Sequence, residues 1–265
     1  MARAEYIGVN NVARRVAKDY EGVNGVARRT VKAYEGVDGV ARPYFGGIFA
    51  SELAVGESVY LRMGSWVGKP REFIVVHQGN PDPSIYHESC VGTWLLMKEP
   101  YTNIAWASES IGYPYPESAV HAACENLYMN QFWEELNNIK QVKIPYYWTV
   151  DLNNIGNEGH HGDAGLDTHL FLLSGYELGI HYVTVPDGAV LDYFADGEKE
   201  KRIAYRSGAA VTWWTRGDYS PSGYAVGIDT NGNNTKTGKV YTYGFRPALI
   251  IHSDTLVDPE TKCVF

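Results

Sequence analysis

Side chains that could bind a ligand are concentrated in the last third of the sequence, between residues 214 and 243. Tyrosine and tryptophan rings provide flat surfaces for stacking against a sugar or a protein, and asparagine and aspartate provide hydrogen bonds, so this mixture is typical of a binding surface. The structural alternative is that the Asn-Gly-Asn-Asn segment only forms a turn and that Trp213 belongs to the core. The predicted contact residues are Trp214, Arg216, Asp218, Tyr219, Ser222, Tyr224, Asp229, Asn231, Asn233, Asn234, Tyr241 and Tyr243.

Patterns typical of catalysis or of metal binding are weaker. The histidines and aspartates of residues 160–169 would form a metal site if the segment folded around an ion, but a flexible polar loop is the stronger interpretation. Some oxygen ligands for calcium occur between residues 218 and 231, without the clustered carboxylates that calcium requires. No Ser-His-Asp set, phosphate-binding loop or pair of carboxylates occurs with supporting context. We therefore predict neither an enzyme nor a bound metal or cofactor.

The cysteines and the hydropathy of the chain indicate where it is made. Cys90, Cys124 and Cys263 lie far apart and form no Cys-x-x-Cys pair, which is typical of a protein that folds in a reducing cytoplasm. The start, MARAEYIGVN, lacks the apolar run of a signal peptide, and no segment approaches the length of a transmembrane helix. We therefore expect synthesis in a cytoplasm without a signal peptide, and no insertion into a membrane.

Three copies of one short motif occur at the start of the chain, spaced 14 residues apart. They centre on Asn-Asn, Asn-Gly and Asp-Gly, and the last two dipeptides are the strongest short signals of a two-residue β-hairpin turn. Residues 1–45 are therefore predicted to form three 14-residue β-hairpin repeats. The copies are GVNNVAR (8–14), GVNGVAR (22–28) and GVDGVAR (36–42).

The repeats differ in charge from the rest of the chain. Residues 1–45 contain eight Lys or Arg and five Asp or Glu, a net charge of +3, so residues 46–265 carry −11 and the total is −8. Because the arginines alternate with Val and Ala, a solvated strand face or a contact with an acidic protein is a better interpretation than nucleic-acid binding. A string of hairpins is too thin to bury its own core, so we predict that it serves attachment or oligomerisation. Pro43, Gly46 and Gly47 mark the boundary with a ligand-binding domain, residues 46–265.

Periodicity predicts the elements that would position a binding surface. Residues 57–63 and 71–79 alternate like two paired strands. Apolar residues at spacings of three and four predict two short helices, 117–128 and 130–140. The polar segment 151–168 has no periodicity and is predicted to be a loop.

The body of the chain contains five distinctive blocks, KQVKIPY, FLLSGYELG, KRIAY, TWWTRG…YAVGIDTNG and YGFRPALII. Together they resemble an uncharacterised domain family that is common in Gram-positive gut bacteria and their prophages, whose members typically end in WWLRSP…YAWYVNSDG…YGVRPAL. The resemblance covers most of residues 48–255. Two departures are TRGD (215–218) in place of LRSP and an atypical insert around residues 160–161. The Arg-Gly-Asp tripeptide within TRGD spells an integrin-type motif, which we attribute to chance.

The resemblance implies a C-type-lectin-like fold, which that family shares with the formylglycine-generating enzymes and with the variable proteins of diversity-generating retroelements. The predicted fold class is therefore α+β, with small antiparallel sheets, two helices and long loops, preceded by the β-hairpin repeat segment. The GVNGVAR-type repeats likewise resemble those that precede such domains in prophage tail regions.

The resemblance favours a receptor-binding adhesin of a phage or prophage tail, located on the virion and made in the cytoplasm of the bacterial host. Its partners would be a host cell-surface glycan or protein and, through residues 1–45, other virion or tail proteins and further copies of the chain, with a trimer favoured. The Asn, Asp, Tyr and Ser content of the predicted surface is similar to that of surfaces diversified by a retroelement. A second hypothesis is a structural virion component that binds other virion proteins. A third, an oxidase of the formylglycine-generating type, would need two nearby late cysteines, and only Cys263 is late.

Overall fold

The computed structural model is built mostly of β-sheets, with one α-helix among the described residues, α1 (Ala119–Gln131). The prediction of an α+β, C-type-lectin-like fold with two helices is therefore wrong. The described residues are 6–9, 12–15, 20–23, 26–29, 32–37, 40–64, 70–109, 114–132, 136–149, 157–181, 186–219 and 223–264.

The strands are short, and most neighbouring strands run antiparallel. They are β1 (Tyr6–Val9), β2 (Val12–Arg15), β3 (Tyr20–Val23), β4 (Val26–Arg29), β5 (Lys32–Val37), β6 (Val40–Gly46), β7 (Ile48–Phe49), β8 (Ser58–Arg62), β9 (Pro70–Gly79), β10 (Gly92–Met97), β11 (Thr102–Ala105), β12 (Val142–Ile144), β13 (Tyr146–Thr149), β14 (Asn157–His160), β15 (Leu166–Thr168), β16 (Leu170–Phe171), β17 (Ala204–Arg206), β18 (Ala209–Val211), β19 (Trp213–Tyr219), β20 (Tyr224–Ile228), β21 (Asn234–Gly238), β22 (Thr242–Phe245), β23 (Ala248–Ile251) and β24 (Leu256–Val257). Short 3-10 helices lie at Ala50–Glu52, Glu88–Cys90, Tyr115–Glu117, Gly162–Ala164, Asp192–Phe194 and Lys199–Arg202.

The N-terminal repeats form three separate two-stranded ladders, β1 with β2, β3 with β4 and β5 with β6. In each repeat the last paired residues are two valines with two residues between them, for example Val23 opposite Val26. The strand pairing of the predicted hairpins is therefore confirmed. The predicted turn dipeptides themselves lie outside the described residues.

The first five-stranded sheet has the order β16-β23-β10-β9-β8. Every residue of β10 and β23 is buried, as expected for strands covered on both faces. The predicted pairing of residues 57–63 with 71–79 is confirmed, because β8 and β9 form an antiparallel ladder in which Val59 lies opposite Phe73. Near the two ends of the region 46–265, β7 pairs with β24.

The second five-stranded sheet has the order β11-β22-β19-β20-β21 and contains most of the predicted contact residues. Its pairs are antiparallel except for β19 and β22, which run parallel where Trp213 lies opposite Gly244. The chain passes from this sheet to the first one between β22 and β23. Buried residues from both sheets belong to one continuous hydrophobic cluster.

Helix α1 begins where the first predicted helix was expected. The Ser118 hydroxyl accepts a hydrogen bond from the backbone N–H of His121, which caps the first turn. The predicted apolar stripe is confirmed, since Val120, Cys124 and Leu127 are buried. Among the described residues, no helix is long and apolar enough to cross a membrane.

The second predicted helix, 130–140, is wrong, because α1 ends at Gln131 and none of the residues 136–140 is helical. Residues 136–138 form a turn, and Ile139 makes an isolated antiparallel bridge to Ile251. The Lys140 N–H donates to the Ile250 carbonyl at 2.8 Å. Pairing with β23 therefore uses the backbone groups that a helix would have needed, and this tertiary contact overrides the local apolar spacing.

The predicted loop 151–168 contains two strands, and this prediction is also wrong. β14 pairs with β13, and β15 pairs with β12. Neither strand shows a clear alternation of polar and apolar residues, because each belongs to a two-stranded ladder whose pairing is decided by its partner strand. Residues 151–156 lie outside the described part of the chain.

Candidate functional site

Three of the twelve predicted contact residues, Trp214, Arg216 and Asp218, are buried in β19 rather than displayed on a surface. Their exposed fractions are 0%, 1% and 0%. The ladder with β20 pairs Trp214 with Gly227 and Asp218 with Ala225, so four residue steps on β19 face only two on β20. Such a bulge redirects side chains, and here it points Arg216 into the protein.

Trp214 and Tyr243 help to hold the second sheet together. The Trp214 indole N–H donates to the Ile104 carbonyl at 2.9 Å, which links β19 to the edge strand β11. The rings of Trp214 and Tyr243 pack with their centroids 4.7 Å apart. The half-buried Tyr243 hydroxyl also donates to Thr237 Oγ1 at 3.4 Å. Trp214 is completely buried and is therefore structural. Tyr243 is half-buried, and its predicted contact role stays a prediction.

Arg216 forms a completely buried ion pair with Glu177, in which two guanidinium nitrogens each contact one carboxylate oxygen at 2.7 Å. Burial alone lowers the pKa of Arg216, but the Glu177 charge and its hydrogen bonds outweigh burial and raise that pKa. Glu177 also accepts from the Tyr86 hydroxyl at 2.7 Å. The remaining guanidinium hydrogen bonds go to the carbonyl oxygens of Pro145, Leu172 and Asp187.

Asp218 and Lys239 form a second buried ion pair, with Nζ and Oδ1 2.7 Å apart and both side chains fully buried. Lys239 Nζ also lies 4.6 Å from the centroid of the Trp106 ring. Burial lowers the pKa of Lys239, and the charge of Asp218 opposes that shift. The Lys239 N–H donates to the Gly223 carbonyl at 3.0 Å, and the Ala107 N–H donates to the Lys239 carbonyl at 3.1 Å. Lys239 therefore anchors the turn between β21 and β22.

Residues on either side of this anchor form an exposed surface that we call the tyrosine patch, made of Tyr224, Lys236, Val240 and Tyr241. Tyr224, Val240 and Tyr241 are 45%, 43% and 61% exposed. Tyr224 lies opposite Gly238, and a Cβ added there would sit 3.3 Å from the Tyr241 ring, so both tyrosines lie on the same side of β21. The Lys236 Nζ lies 5.9 Å from the centroid of the Tyr224 ring.

Two further predicted contact residues are near the tyrosine patch in the chain but cannot be assigned to it. Tyr219 lies opposite Tyr224 in the ladder of β19 and β20, and the structure describes its backbone alone. Ser222 lies outside the described residues. The predicted contact role of both residues stays a prediction.

The remaining predicted residues form a separate turn at the other end of β20. Asp229 Oδ1 accepts from the backbone N–H groups of Asn231 and Asn233, at 2.8 and 2.9 Å. Burial raises the pKa of Asp229, but these hydrogen bonds dominate and lower it. Tyr224 and Asp229 are separated by about 17 Å at 3.4 Å per strand residue, so the turn and the tyrosine patch are not one site. Asn231 and Asn234 are exposed, and the hydrogen bonds favour the turn alternative.

Replacing Gly232 in this turn with alanine should destabilise the chain strongly. Its φ is +75°, and an added Cβ would lie 2.1 Å from the Lys199 carbonyl oxygen. We expect about 1–2 kcal/mol for the left-handed backbone and about 1–3 kcal/mol more for crowding, measured by urea unfolding. Gly197 is the matched control, since its φ is +76° and its Cβ would meet nothing within 4 Å. Equal losses for Gly232→Ala and Gly197→Ala would contradict the crowding argument.

The histidines of the 160–169 segment have structural neighbours. His160 stacks on Tyr146 with the ring centroids 4.5 Å apart. His161 Nε2 lies 2.7 Å from the Pro186 carbonyl oxygen. Within the described ranges, no group of three or more His, Cys, Asp or Glu side chains is placed so that it could hold a metal ion.

Sequence reasoning missed one partner of each buried ion pair, and one of them, Lys239, positions the tyrosine patch. Lys239 and Glu177 are single charged residues in mixed segments, and no local pattern marks either of them as the partner of a buried charge. Val240 follows Lys239 directly, and it points outward because Lys239 is anchored inward. The available signal was the grouping of Lys, Val and Tyr in TGKVYTYG, which predicts a turn flanked by strands.

Residues 91–253, more than half of the chain, match the family model of DUF6273, which is described as a domain of unknown function. No curated protein and no solved structure matches the chain.

Proposed function

Because the chain belongs to the DUF6273 family, whose function is unknown, we propose its function from its own surface and repeats: it is a receptor-binding adhesin of a phage or prophage tail. The tyrosine patch binds a glycan or protein of the host cell surface. Residues 1–45 attach the molecule to other tail proteins and to further copies of itself. The observation that carries the proposal is the exposure of Tyr224 and Tyr241 on the same side of β21, the edge strand of the second sheet.

The chemistry of the tyrosine patch supports binding. Tyrosine rings present a rigid stacking surface with a hydroxyl at the tip, and tyrosines account for much of the binding energy in many protein interfaces. One side of the Tyr241 ring packs over Gly238, yet 61% of Tyr241 remains exposed. The Lys236 ammonium adds a positive charge beside the Tyr224 ring. The anchored turn limits the entropy that would be lost when a ligand binds.

Changing Tyr224 and Tyr241 together to serine should weaken binding of the full chain to cells of its Gram-positive host at least tenfold. Both rings would be lost as contact area, and truncation of a central aromatic contact typically costs about 2 kcal/mol or more. Binding of labelled protein to whole cells of candidate hosts measures the effect. Because both side chains are largely exposed, the double variant should unfold at the urea concentration of the unchanged protein.

Tyr205→Ser is the matched control, because Tyr205 is 51% exposed and lies on β17, which belongs to a separate two-stranded sheet. Its binding should equal that of the unchanged protein. Unchanged binding of the Tyr224→Ser/Tyr241→Ser variant would refute the tyrosine patch as the receptor site. Absence of binding to any candidate host would favour the structural virion component instead.

The repeats support the attachment role. Each hairpin is its own two-stranded sheet, and an isolated two-stranded ribbon is at best marginally stable in water. Three hairpins with similar strand registers repeat the same sequence motif, which suits repeated contacts with identical neighbours.

Removing residues 1–45 should convert an oligomer into a monomer. That variant lacks the hairpins that we propose to join the copies, while both five-stranded sheets lie wholly within residues 46–265. Light scattering coupled to size-exclusion chromatography gives the molar mass of each form. The same number of subunits in both forms would contradict the assignment of oligomerisation to the repeats.

A further inference from the structure

A groove of about 180 Å³ lies between α1 and β11. β11 is the edge strand of the second sheet on the side opposite β21, which carries Lys236 of the tyrosine patch. The buried side chains of Leu127 and Phe245 contribute an apolar surface to the groove. Thr102, Asn126 and Asn130 contribute polar groups.

The two asparagines present a donor and an acceptor next to each other. Asn130 Nδ2 donates to Asn126 Oδ1 at 2.6 Å and to the Asn126 carbonyl at 2.9 Å. This pairing leaves Asn126 Nδ2 to donate and Asn130 Oδ1 to accept. A pair of neighbouring hydroxyl groups matches this arrangement, because one hydroxyl can accept while the other donates.

The charge and size of the groove narrow the class of ligand further. All eight lining residues are uncharged, although the chain carries a net charge of −8. The Tyr101 ring also borders the groove, and the Arg71 guanidinium lies 5.7 Å from its centroid on one side. The volume is below the roughly 300–1,000 Å³ of sites for drug-sized ligands. The groove therefore suits a small neutral molecule that has hydroxyl groups and an apolar face.

We propose that this groove binds a single neutral sugar ring, with the asparagine pair holding two adjacent hydroxyls and the Leu127 and Phe245 surface contacting the apolar face of the ring. The site is separate from the tyrosine patch, so the proposal does not rest on the proposed function. A ligand of about twelve non-hydrogen atoms in an open groove should have a dissociation constant on the order of 1 mM.

Saturation-transfer NMR of the full chain with glucose, galactose and N-acetylglucosamine tests the proposal. We expect a saturable signal from at least one of these sugars, and a loss of affinity of about tenfold in both Asn126→Ala and Asn130→Ala, since each variant removes one hydroxyl contact. Both positions are exposed in α1, and alanine favours helix, so the variants should fold. Asn103→Ala is the matched control, because Asn103 is exposed on β11 and does not line the groove.

Three results would overturn the proposal. One is the absence of a saturable signal with all three sugars at about ten times the expected dissociation constant. Another is unchanged affinity in the Asn126→Ala and Asn130→Ala variants. The third is loss of the signal in the Tyr224→Ser/Tyr241→Ser variant with retention in the asparagine variants, which would place the sugar at the tyrosine patch. Retention of the sugar signal with loss of cell binding in that tyrosine variant would support both proposals separately.

Discussion

Replacing Glu177 with glutamine should lower the free energy of unfolding by about 3–5 kcal/mol, because it breaks a buried ion pair and leaves one charge without its partner. Both carboxylate oxygens contact the Arg216 guanidinium at 2.7 Å, and both side chains are completely buried. A glutamine amide would also place an N–H donor against the donors of Arg216. Urea unfolding followed by tryptophan fluorescence measures the loss.

Glu72→Gln is the matched control for this change. Glu72 pairs with Lys98 at 2.7 Å, but both side chains are partly exposed to solvent. Breaking an exposed pair of this kind should cost about 0–1 kcal/mol. Similar losses for Glu177→Gln and Glu72→Gln would show that the buried pair adds nothing beyond ordinary surface electrostatics.

Arg216 stabilises the fold through hydrogen bonds to backbone carbonyls as well as through its ion pair, and a double variant would separate the two contributions. Glu177→Leu/Arg216→Met removes both charges of the ion pair, but the carbonyl oxygens of Pro145, Leu172 and Asp187 lose their donor. The buried Asp187 side chain also loses the favourable charge of Arg216. A buried acceptor without a partner costs about 1–3 kcal/mol. The double variant should therefore remain clearly less stable than the unchanged protein. Arg216 thus fastens three separate segments to β19.

Elements whose signals are local could be predicted from the sequence. The turn dipeptides of the repeats, the alternation in β8 and β9 and the apolar spacing in α1 all act within a few residues. The second predicted helix failed because β23, more than a hundred residues away, pairs with Ile139 and Lys140. The strands β14 and β15 were missed for the same reason, since a two-stranded ladder depends on its partner rather than on its own pattern.

The candidate site could be predicted in part, because residue type indicates what a side chain can do and not where it points. Tyr224 and Tyr241 are exposed, as a contact residue must be. Trp214, Arg216 and Asp218 have equally suitable chemistry, but the bulge in β19 and the cover on both faces of the sheet bury them. A bulge of this kind leaves no recognisable pattern in TWWTRGDY. The buried residues nevertheless matter to the site, since Asp218 holds the lysine that anchors the exposed turn.

Replacing Lys239 with methionine should therefore both destabilise the chain and weaken the proposed binding to the host cell. Asp218 would stay buried but lose the charge of Lys239, and breaking a buried ion pair should cost about 3–5 kcal/mol in the free energy of unfolding. The turn that presents Val240 and Tyr241 would lose its anchor, so the tyrosine patch would have to be ordered when the ligand binds, and affinity would fall. Urea unfolding and cell binding of the same preparation measure the two effects.

Lys236→Met separates these effects from the simple loss of a lysine. Lys236 is exposed, so its replacement should change the free energy of unfolding by no more than about 0.5 kcal/mol and should affect binding only through the lost charge beside Tyr224.

The pH dependence of stability provides a second test of the ion pair between Lys239 and Asp218. Loss of the Lys239 charge removes an interaction that favours the ionised form of Asp218, so its pKa should be higher in Lys239→Met than in the unchanged protein, and the penalty of the substitution should shrink as the pH falls and the carboxyl group takes up a proton. If Lys239→Met is as stable as Lys236→Met at neutral pH, then the ion pair is not the anchor, and the exposed turn must be held by the hydrogen bonds of its backbone alone.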